Sequence, residues 1–494
     1  MADGELNRSS AGVSRRELLR AGGAGALGYA TLGLAGAGAQ VPARMNVVVV
    51  VMDSLRADHV YGHRARTAAW DRVVSQGVSF LNAHPEGMPT IPTRRSIMSG
   101  KRVYPFRGWH PYPGLPPQPG WEPVGSDGEM WTTTLAKSGW TTGYVTDNPH
   151  LLLPVHRRFR RKFDRVELVE GQVPGHKARR RVSRSELDHH LPKALRGTRA
   201  EPRMRNYLAW NPPGRDENDY NAAKVFRHGM DWIEWARAQQ PFALVIDSFD
   251  AHEPWDAPRR LVDLYGPPDP HGVEPIQPFP TPAARSSEVD LTKRLLRRMR
   301  QLYAAEVTMV DVWLGRFLDR LENLGLAENT LLVLVSDHGV LLGERGWVGK
   351  RYSEMHEELT HVPMAMRHPA GRGRGRTSSY FASPHDVGPT VLSALGVDEP
   401  KGMNGADLSP LFDGRAPSRR RSYRTAAYNT YVSAADERWL LIAGNHREEL
   451  RLYDRKRDRY ERRNIAHRHP EQVRRLWNMV LHDAGGHLPH FPKG

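Results

Sequence analysis

The feature that most constrains this 494-residue chain is a recurring apolar run that ends directly in charged side chains. Residues 46–52, NVVVVVM, are continuously apolar, which predicts a strand buried on both faces, and Asp53 follows at once. Further runs end at Asp147, Asp247 and Asp337. Because sites in open parallel α/β sheets form outside the carboxyl ends of the strands, the layout predicts that these polar residues share one site.

Helical patterns lie between the predicted strands. In residues 300–326, apolar side chains recur at helical spacing, which predicts a packed helix ended by Gly325. The alternation favours the α/β class, with a large, mostly parallel sheet flanked by helices. After Gly396, short alternating runs predict a small antiparallel sheet, followed by a terminal helix around residues 472–482.

The N-terminus carries a targeting pattern. Residues 14–20, SRRELLR, are followed by an Ala/Gly-rich run that is too short for a stable membrane span, and then by Ala37-Gly38-Ala39. We predict a twin-arginine-type signal peptide over residues 1–39, with the twin-arginine translocase as a partner and export to the periplasm, cell surface or medium. The chain has no cysteine, which excludes disulfides and thiolate metal sites and suits export.

Charge indicates the chemistry of the partners. The formal net charge of +16 favours anionic partners, although an arginine-rich, solvated surface would give the same number. Basic residues do not interleave with aromatic ones as they do in single-strand binders, so no specific nucleic-acid partner is predicted.

Residues 88–102, MPTIPTRRSIMSGKR, present hydroxyl groups beside guanidinium groups, which is typical of a site that attacks and holds an anion. Together with MDSLRADH near the start, DAHEPW in the middle and SDHGVLLGERGWVGK late in the chain, this stretch resembles the sulfatase family of the alkaline phosphatase superfamily. The nucleophile motif of that family, Cys or Ser-x-Pro-x-Arg, corresponds to residues 90–94 here. The match spans residues 46–471.

The resemblance implies an alkaline-phosphatase-like sandwich fold and a set of site residues. It implies a catalytic domain over residues 45–395, with a basic insertion at about 156–207, and a C-terminal subdomain over residues 396–494. One divalent metal ion would be bound by Asp53, Asp337, His338 and Thr90. The catalytic set would be Thr90 as nucleophile, Arg94 to orient and stabilise it, and His150, His252 and Lys350 on the ester's anionic oxygens or leaving group.

The metal expected from the resemblance is Ca²⁺. Mn²⁺, Mg²⁺ and Zn²⁺ remain open, because carboxylates suit hard cations and an imidazole also admits Zn²⁺. The substrate would be an anionic small-molecule or polysaccharide ester.

Three positions depart from the family pattern. Ser54 stands where a second aspartate is common, and Asn148 stands where a lysine precedes the site histidine. Thr90 replaces the residue that known sulfatases convert to formylglycine. A formylglycine hydrate releases sulfate by reforming its aldehyde, whereas a threonine ester has no such exit.

We therefore expect a metal-dependent hydrolase of sulfate or phosphate/phosphonate esters, with phospho- and phosphonoesters slightly favoured. The alternative is a catalytically silent relative that binds sulfated or phosphorylated glycans.

Overall fold

The computed structural model describes residues 44–171, 180–269, 272–280 and 282–491. The predicted signal peptide, residues 1–39, lies outside them. In the described residues the strands are β1 Asn46–Met52, β2 Val78–Phe80, β3 Gly87–Met88, β4 Thr141–Thr146, β5 Arg165–Leu168, β6 Phe242–Ser248, β7 Ala283–Arg285, β8 Thr330–Ser336, β9 Leu341–Leu342, β10 Trp347–Gly349, β11 Met364–Arg367, β12 Arg376–Ser378, β13 Arg424–Tyr428, β14 Tyr431–Ala435, β15 Trp439–Gly444 and β16 Arg451–Asp454.

The α-helices of the same residues are α1 Ala57–Val60, α2 Ala68–Gln76, α3 Thr90–Ser99, α4 Trp131–Lys137, α5 Pro149–Leu152, α6 Arg157–Arg160, α7 Arg184–His190, α8 Ala200–Trp210, α9 Asn221–Ala236, α10 Arg259–Val262, α11 Lys293–Asn323, α12 Glu357–Thr360, α13 Val387–Ala394 and α14 Pro470–Asp483. No helix in this part of the chain is long and apolar enough to cross a membrane.

An eight-stranded sheet, in the order β12-β2-β11-β8-β1-β6-β4-β5, forms the centre of the structure. β1 pairs in parallel with β8 on one side and β6 on the other. All of β1 is buried: Val47, Val49 and Val51 pack in one core, and Val48 and Val50 pack in the other. Helices α2, α9 and α11 cover one face, and α3, α4 and α13 cover the other. The continuous apolar run of β1 is explained by this double burial, and the predicted α/β architecture is confirmed.

The long predicted helix is α11, which packs against α9 and α2. It ends two residues before Gly325, whose φ of +67° is in the left-handed region that favours glycine. The terminal helix is α14, and the predicted antiparallel sheet comprises β13 to β16.

The C-terminal sheet also contains a strand from the N-terminal half. β3, Gly87–Met88, pairs in parallel with β13 through the Ala427–Gly87 and Tyr428–Met88 partners. Because β3 ends two residues before Thr90, the C-terminal sheet positions the chain that leads into the nucleophile motif.

The described parts of the predicted basic insertion, residues 156–171 and 180–207, contain regular elements. The first of these parts includes α6 and β5, and β5 is the parallel edge strand beside β4 in the main sheet. β5 has the sequence RVEL, and its residues are half-buried or exposed. An edge strand of this kind lacks the continuous apolar run that identifies a central strand, so the sequence pattern missed it.

Buried His156 generates a testable prediction about acid stability. Its Nδ1 accepts the N–H of Val124 at 3.2 Å, and burial, helped by the charge of Arg160, lowers its pKa to about 3. Between pH 6.5 and 3, the unfolded chain therefore binds a proton that the folded chain does not. This histidine contributes stability that is present above pH 6.5 and lost as the pH falls.

We expect His156→Gln to make the free energy of unfolding fall less steeply on acidification, by about 1.4 kcal/mol per pH unit between pH 6 and 4. Urea unfolding at several pH values measures this slope. His467→Gln, at an exposed histidine, is the matched control. An equal change in slope in both variants would contradict burial as the cause.

Candidate active site

The predicted polar residues meet at one edge of the main sheet. Asp53 follows β1, Asp337 follows β8, and Asp247 is the penultimate residue of β6. These three strands are neighbours, so their carboxyl ends lie side by side. Thr90 begins α3 and is only 3% exposed. The structure thus brings together the strand ends and the nucleophile motif, as the sequence predicts.

Asp53, Asp337 and His338 form a cluster of metal-ligand type. One ligand atom from each lies within 4.8 Å of the others, and all three residues are buried. His338 Nδ1 is 2.8 Å from the carbonyl oxygen of Gly339 and donates to it, so Nε2 keeps its lone pair for the cluster. Nε2 lies 3.5 Å from Asp337 Oδ2 and 3.8 Å from Asp53 Oδ1.

The electrostatics of the cluster fit a divalent cation. Burial and the adjacent negative charge of Asp337 raise the pKa of Asp53 well above its usual range. Although burial opposes it, the interactions with His338 and Arg94 hold the pKa of Asp337 below its usual value. Buried Asp53 Oδ2 accepts no aligned hydrogen bond, although Arg94 Nη2 lies 3.1 Å away. Two crowded carboxylates and an imidazole lone pair are suitable donors for such an ion.

Ser54 supports this cluster as a hydrogen-bond donor. Its hydroxyl donates to Asp53 Oδ1 at 2.8 Å, and its N–H donates to Asp337 Oδ1 at 2.9 Å. The residue has a φ of +58°, which turns the backbone so that both donors reach the carboxylates. The position where the sequence lacks a second aspartate thus orients the two carboxylates that are present.

Thr90 presents its hydroxyl to the cluster. Thr90 Oγ1 lies 3.3 Å from His338 Nε2. The hydroxyl of Thr93, one turn later, donates instead to the carbonyl oxygen of Gly87 at 2.8 Å. Of the two threonines in the motif, Thr90 is therefore the one whose oxygen faces the metal-ligand atoms.

Arg94 connects α3 to three strand ends. Its Nε and Nη2 donate to Asp247 at 2.8 and 2.6 Å, and its Nη1 donates to Asp337 at 2.6 Å. Nη1 also donates to the carbonyl oxygen of Thr90 at 3.1 Å. The guanidinium thus holds the backbone of Thr90 against the sheet edge.

Asp247 and Tyr144 are site residues to which the sequence analysis gave no role. The hydroxyl of Tyr144 donates to Asp247 Oδ2 at 2.7 Å, and Arg94 donates to both carboxylate oxygens, so Tyr144 and Arg94 together orient the carboxylate. The position of Asp247 at a strand end was a usable signal. The pairing of Asp247 with Arg94 could not be predicted from the sequence, because it depends on how α3 packs against the sheet.

Lys350, His252 and Glu253 form a second polar group. Lys350 Nζ donates to the two carboxylate oxygens of Glu253 at 3.0 and 2.8 Å and to His252 Nε2 at 3.1 Å. His252 Nδ1 donates to the carbonyl oxygen of Glu253 at 2.7 Å. Burial and the charge of Lys350 lower the pKa of His252 well below its usual value, so its imidazole is neutral. Glu253 was missed although it is the neighbour of His252 in the sequence.

His150 completes the predicted set and lies beside aromatic rings. Its ring is 4.9 Å from Trp121 and 6.4 Å from Phe249, and Phe249 in turn stacks on His252 at 4.1 Å. Burial lowers the pKa of His150 to about 4, and the charges of Arg94 and Lys350 add to the effect. This imidazole is also neutral at neutral pH.

The residue two positions earlier, Asn148, has a local structural role. Its Oδ1 accepts the backbone N–H of His150 and so caps the start of α5. The asparagine thus fixes the turn that carries His150.

Comparisons with known proteins agree with this geometry. The Sulfatase family profile matches residues 45–397, and the profile named N-sulphoglucosamine sulphohydrolase, C-terminal, matches residues 343–482. The arylsulfatase of Clostridium perfringens is 23% identical over 485 residues, which cover 91% of this chain and 96% of that protein. The N-acetylglucosamine-6-O-sulfatase of Bacteroides thetaiotaomicron is 35% identical over 178 residues, which cover 33% of this chain and 31% of that protein.

The fold has solved counterparts. The crystal structure of the phosphonate monoester hydrolase of Agrobacterium radiobacter matches with a TM-score of 0.65 and 20% identity, covering 89% of this chain and 96% of that chain. At this identity the likeness shows the fold, and it confirms the predicted alkaline-phosphatase-like architecture.

The contact between Tyr144 and Asp247 predicts a specific loss of stability. We expect Tyr144→Phe to lower the free energy of unfolding by about 1.5–3 kcal/mol, because the lost hydrogen bond has a buried charged acceptor. Tyr104→Phe is the matched control, since its buried hydroxyl donates to the neutral carbonyl oxygen of Val480 at 2.8 Å, and it should lose about 0.5–1.5 kcal/mol. Urea unfolding measures both. A smaller loss for Tyr144→Phe than for Tyr104→Phe would contradict the role given to Asp247.

Proposed function

This chain belongs to the sulfatase family, and we propose that it is a metal-dependent hydrolase of phosphate or phosphonate esters with Thr90 as its nucleophile. One observation carries the proposal: Thr90 Oγ1 lies 3.3 Å from His338 Nε2, at the cluster formed with Asp53 and Asp337. A hydroxyl placed there is next to the ligand atoms of a divalent cation.

The metal would be held by Asp53, Asp337, His338 and the Thr90 oxygen. When bound, it would lower the pKa of a neighbouring hydroxyl, as metals lower the pKa of water, and would counter negative charge on the transferring group. The imidazole ligand favours Mn²⁺ or Zn²⁺ over Ca²⁺, which prefers oxygen ligands alone.

The proposed reaction has two steps. The Thr90 hydroxyl loses its proton to solvent as its oxygen forms a bond to phosphorus and the bond to the leaving oxygen breaks. The leaving oxygen takes a proton from the Lys350–His252 pair, which regains one from solvent. Water then attacks the phosphorus of the threonine ester, which releases the acid and restores the hydroxyl. Water can attack the phosphorus of a threonine phosphate or phosphonate ester. A threonine sulfate ester, in contrast, cannot release sulfate by re-forming an aldehyde, as formylglycine does. The threonine therefore favours phosphorus esters over sulfate esters.

Formal charge favours esters that carry one negative charge. The site has four carboxylates, Asp53, Asp247, Asp337 and Glu253, and two cations, Arg94 and Lys350. A divalent metal would bring this balance to zero. A neutral site has no net attraction for a dianion, so we propose phosphonate monoesters and phosphodiesters rather than phosphate monoesters as substrates.

A second candidate function has one observation in its favour. The three hydrogen bonds of Lys350 Nζ are all made to Glu253 and His252, which leaves none for a substrate oxygen in this arrangement. A catalytically silent protein that binds sulfated or phosphorylated glycans would tolerate such a lysine.

A hydrolysis panel separates these candidates. We expect protein from residue 40 onward, with Mn²⁺ or Zn²⁺, to cleave bis(p-nitrophenyl) phosphate and p-nitrophenyl phenylphosphonate faster than p-nitrophenyl phosphate, and to leave p-nitrophenyl sulfate intact. Thr90→Ala should reduce the rate at least about 10⁴-fold, as loss of a nucleophile does. Thr90→Ser, which keeps the hydroxyl, is the matched control and should retain most of the activity.

Two results would contradict the proposal. Sulfate cleavage that depends on Thr90 would show that a threonine ester of sulfate can turn over. A lack of turnover on every substrate with every metal would favour the binding protein.

The metal prediction can be tested without turnover. After chelation, Mn²⁺ or Zn²⁺ should raise the unfolding temperature more than Ca²⁺, because the ion binds the folded cluster. We expect His338→Asn, which replaces the imidazole by an oxygen donor, to shift this preference towards Ca²⁺. His385→Asn, at a buried histidine outside the cluster, is the control. The largest stabilisation by Ca²⁺ in the unaltered protein would contradict the assignment.

A further inference from the structure

A second cavity lies apart from the candidate active site. It has a volume of about 660 Å³, within the range of ligand pockets, and its wall includes the start of α1, one face of α11 and the segment after β16. None of the candidate catalytic or metal-binding residues lines it. Its chemistry is therefore not explained by the proposed function.

The carboxylates that line this cavity all have arginine partners. Asp58 and Glu344 pair with Arg56 at 2.8 and 3.0 Å. Glu357 pairs with Arg424 and Arg455, and Glu358 pairs with Arg345, at distances between 2.7 and 3.1 Å. The negative charge of the wall is thus compensated within the protein.

Four lining arginines have no carboxylate partner among the described residues. They are Arg297, Arg300, Arg459 and Arg462. All four are exposed, and Arg300 makes its hydrogen bond to a neutral carbonyl oxygen, that of Leu342, at 2.9 Å. The cavity therefore has an excess of positive charge that is carried by guanidinium groups, which bind sulfate and phosphate groups through paired hydrogen bonds.

An exposed aromatic ring lies between two of these arginines. Tyr460 is 51% exposed, and the guanidinium carbons of Arg459 and Arg462 lie 4.8 and 5.1 Å from its ring centroid. A tyrosine ring with a polar tip is a suitable surface for the face of a sugar. Anion-binding groups and an aromatic surface thus occur side by side.

We propose that this arginine cavity is a second, non-catalytic site that binds the sulfate or phosphate groups of an anionic saccharide chain. This proposal rests on the proposed function in one respect only, which is that the ligand is a chain of anionic esters. A concave site with paired carboxylates in its wall suits a flexible chain bearing separated anionic groups. A rigid duplex would bring a continuous row of phosphates over those carboxylates.

The cavity is connected to the candidate active site through one loop. Arg56, which lines the cavity, is three residues after Asp53, and its backbone N–H donates to the hydroxyl of Tyr303 at 3.0 Å. The same hydroxyl donates to the carbonyl oxygen of Ser54 at 2.8 Å. A saccharide chain held in the cavity would thus be bound next to the loop after β1, which carries the candidate metal ligand Asp53.

A charge-matched pair of variants tests the proposal. The cavity variant combines Arg297→Gln, Arg459→Gln and Arg462→Gln. The control variant combines Arg203→Gln, Arg420→Gln and Arg474→Gln, at exposed arginines outside the cavity that have no ion pair among the described residues. Both lose three charges. Binding of a heparin octasaccharide, of linear polyphosphate and of a short DNA duplex is measured by calorimetry in EDTA at fixed salt.

We expect the cavity variant to bind the heparin octasaccharide about tenfold or more weakly, the loss that three exposed ion pairs give, and the control variant to bind nearly normally. Cavity-dependent binding of the heparin octasaccharide supports a saccharide ligand, whereas cavity-dependent binding of polyphosphate alone would overturn the saccharide assignment. Equal losses in both variants, or a cavity-dependent preference for the duplex, would overturn the proposal.

Two further measurements keep the proposal separate from the proposed function. Binding repeated with Thr90→Ala needs no turnover, so an inactive nucleophile does not affect the result. Hydrolysis of a small chromogenic ester should have the same kcat and KM in the cavity variant, because its arginines do not contact the candidate active site. A changed kcat would contradict a non-catalytic role.

Discussion

The candidate active site depends on the burial of one guanidinium among three carboxylates. Arg94 is 1% exposed, and Asp53, Asp247 and Asp337 are fully buried. Charges at such depth are tolerated only when they are paired and hydrogen-bonded, so the arginine and its partners require one another. The carboxylates come from β1, β6 and β8, which are adjacent. The pairing therefore fixes α3 on the sheet edge and, with it, the position of Thr90.

Two of these carboxylates also belong to the candidate metal cluster, and this explains the arrangement around them. Asp53 and Asp337 contact Arg94 and also belong to the metal-ligand cluster, whereas Asp247 pairs with Arg94 and Tyr144. Ser54 donates to both shared carboxylates and so limits their rotation. From the opposite side, β13 pairs with β3 just before Thr90. Thr90 is thus held between the central sheet and the C-terminal sheet.

The sequence predicted a residue's place in the structure where that place follows from the end of a strand. Asp53 and Asp337 come directly after long apolar runs, and topology alone puts such positions at one edge. The roles of Asp247 and Glu253 could not be found in this way, because their partners, Arg94 and Lys350, are far away in sequence and meet them only after packing. β3 and β5 were missed for a related reason. A two-residue strand and a polar edge strand have no periodicity of their own, and tertiary pairing defines both.

Glu253 adds a condition to any chemistry at this site. Its carboxylate takes two hydrogen bonds from Lys350, so an incoming ester oxygen has to compete for the lysine with a buried carboxylate. In the ground state the ester oxygen carries little negative charge and competes poorly with Glu253 for Lys350. During bond breaking, negative charge builds up on the leaving oxygen, which then competes better. The pairing would therefore favour contact with Lys350 in the transition state over contact with the bound substrate, which is the kind of difference that accelerates a reaction. By this argument, the engaged lysine is compatible with catalysis.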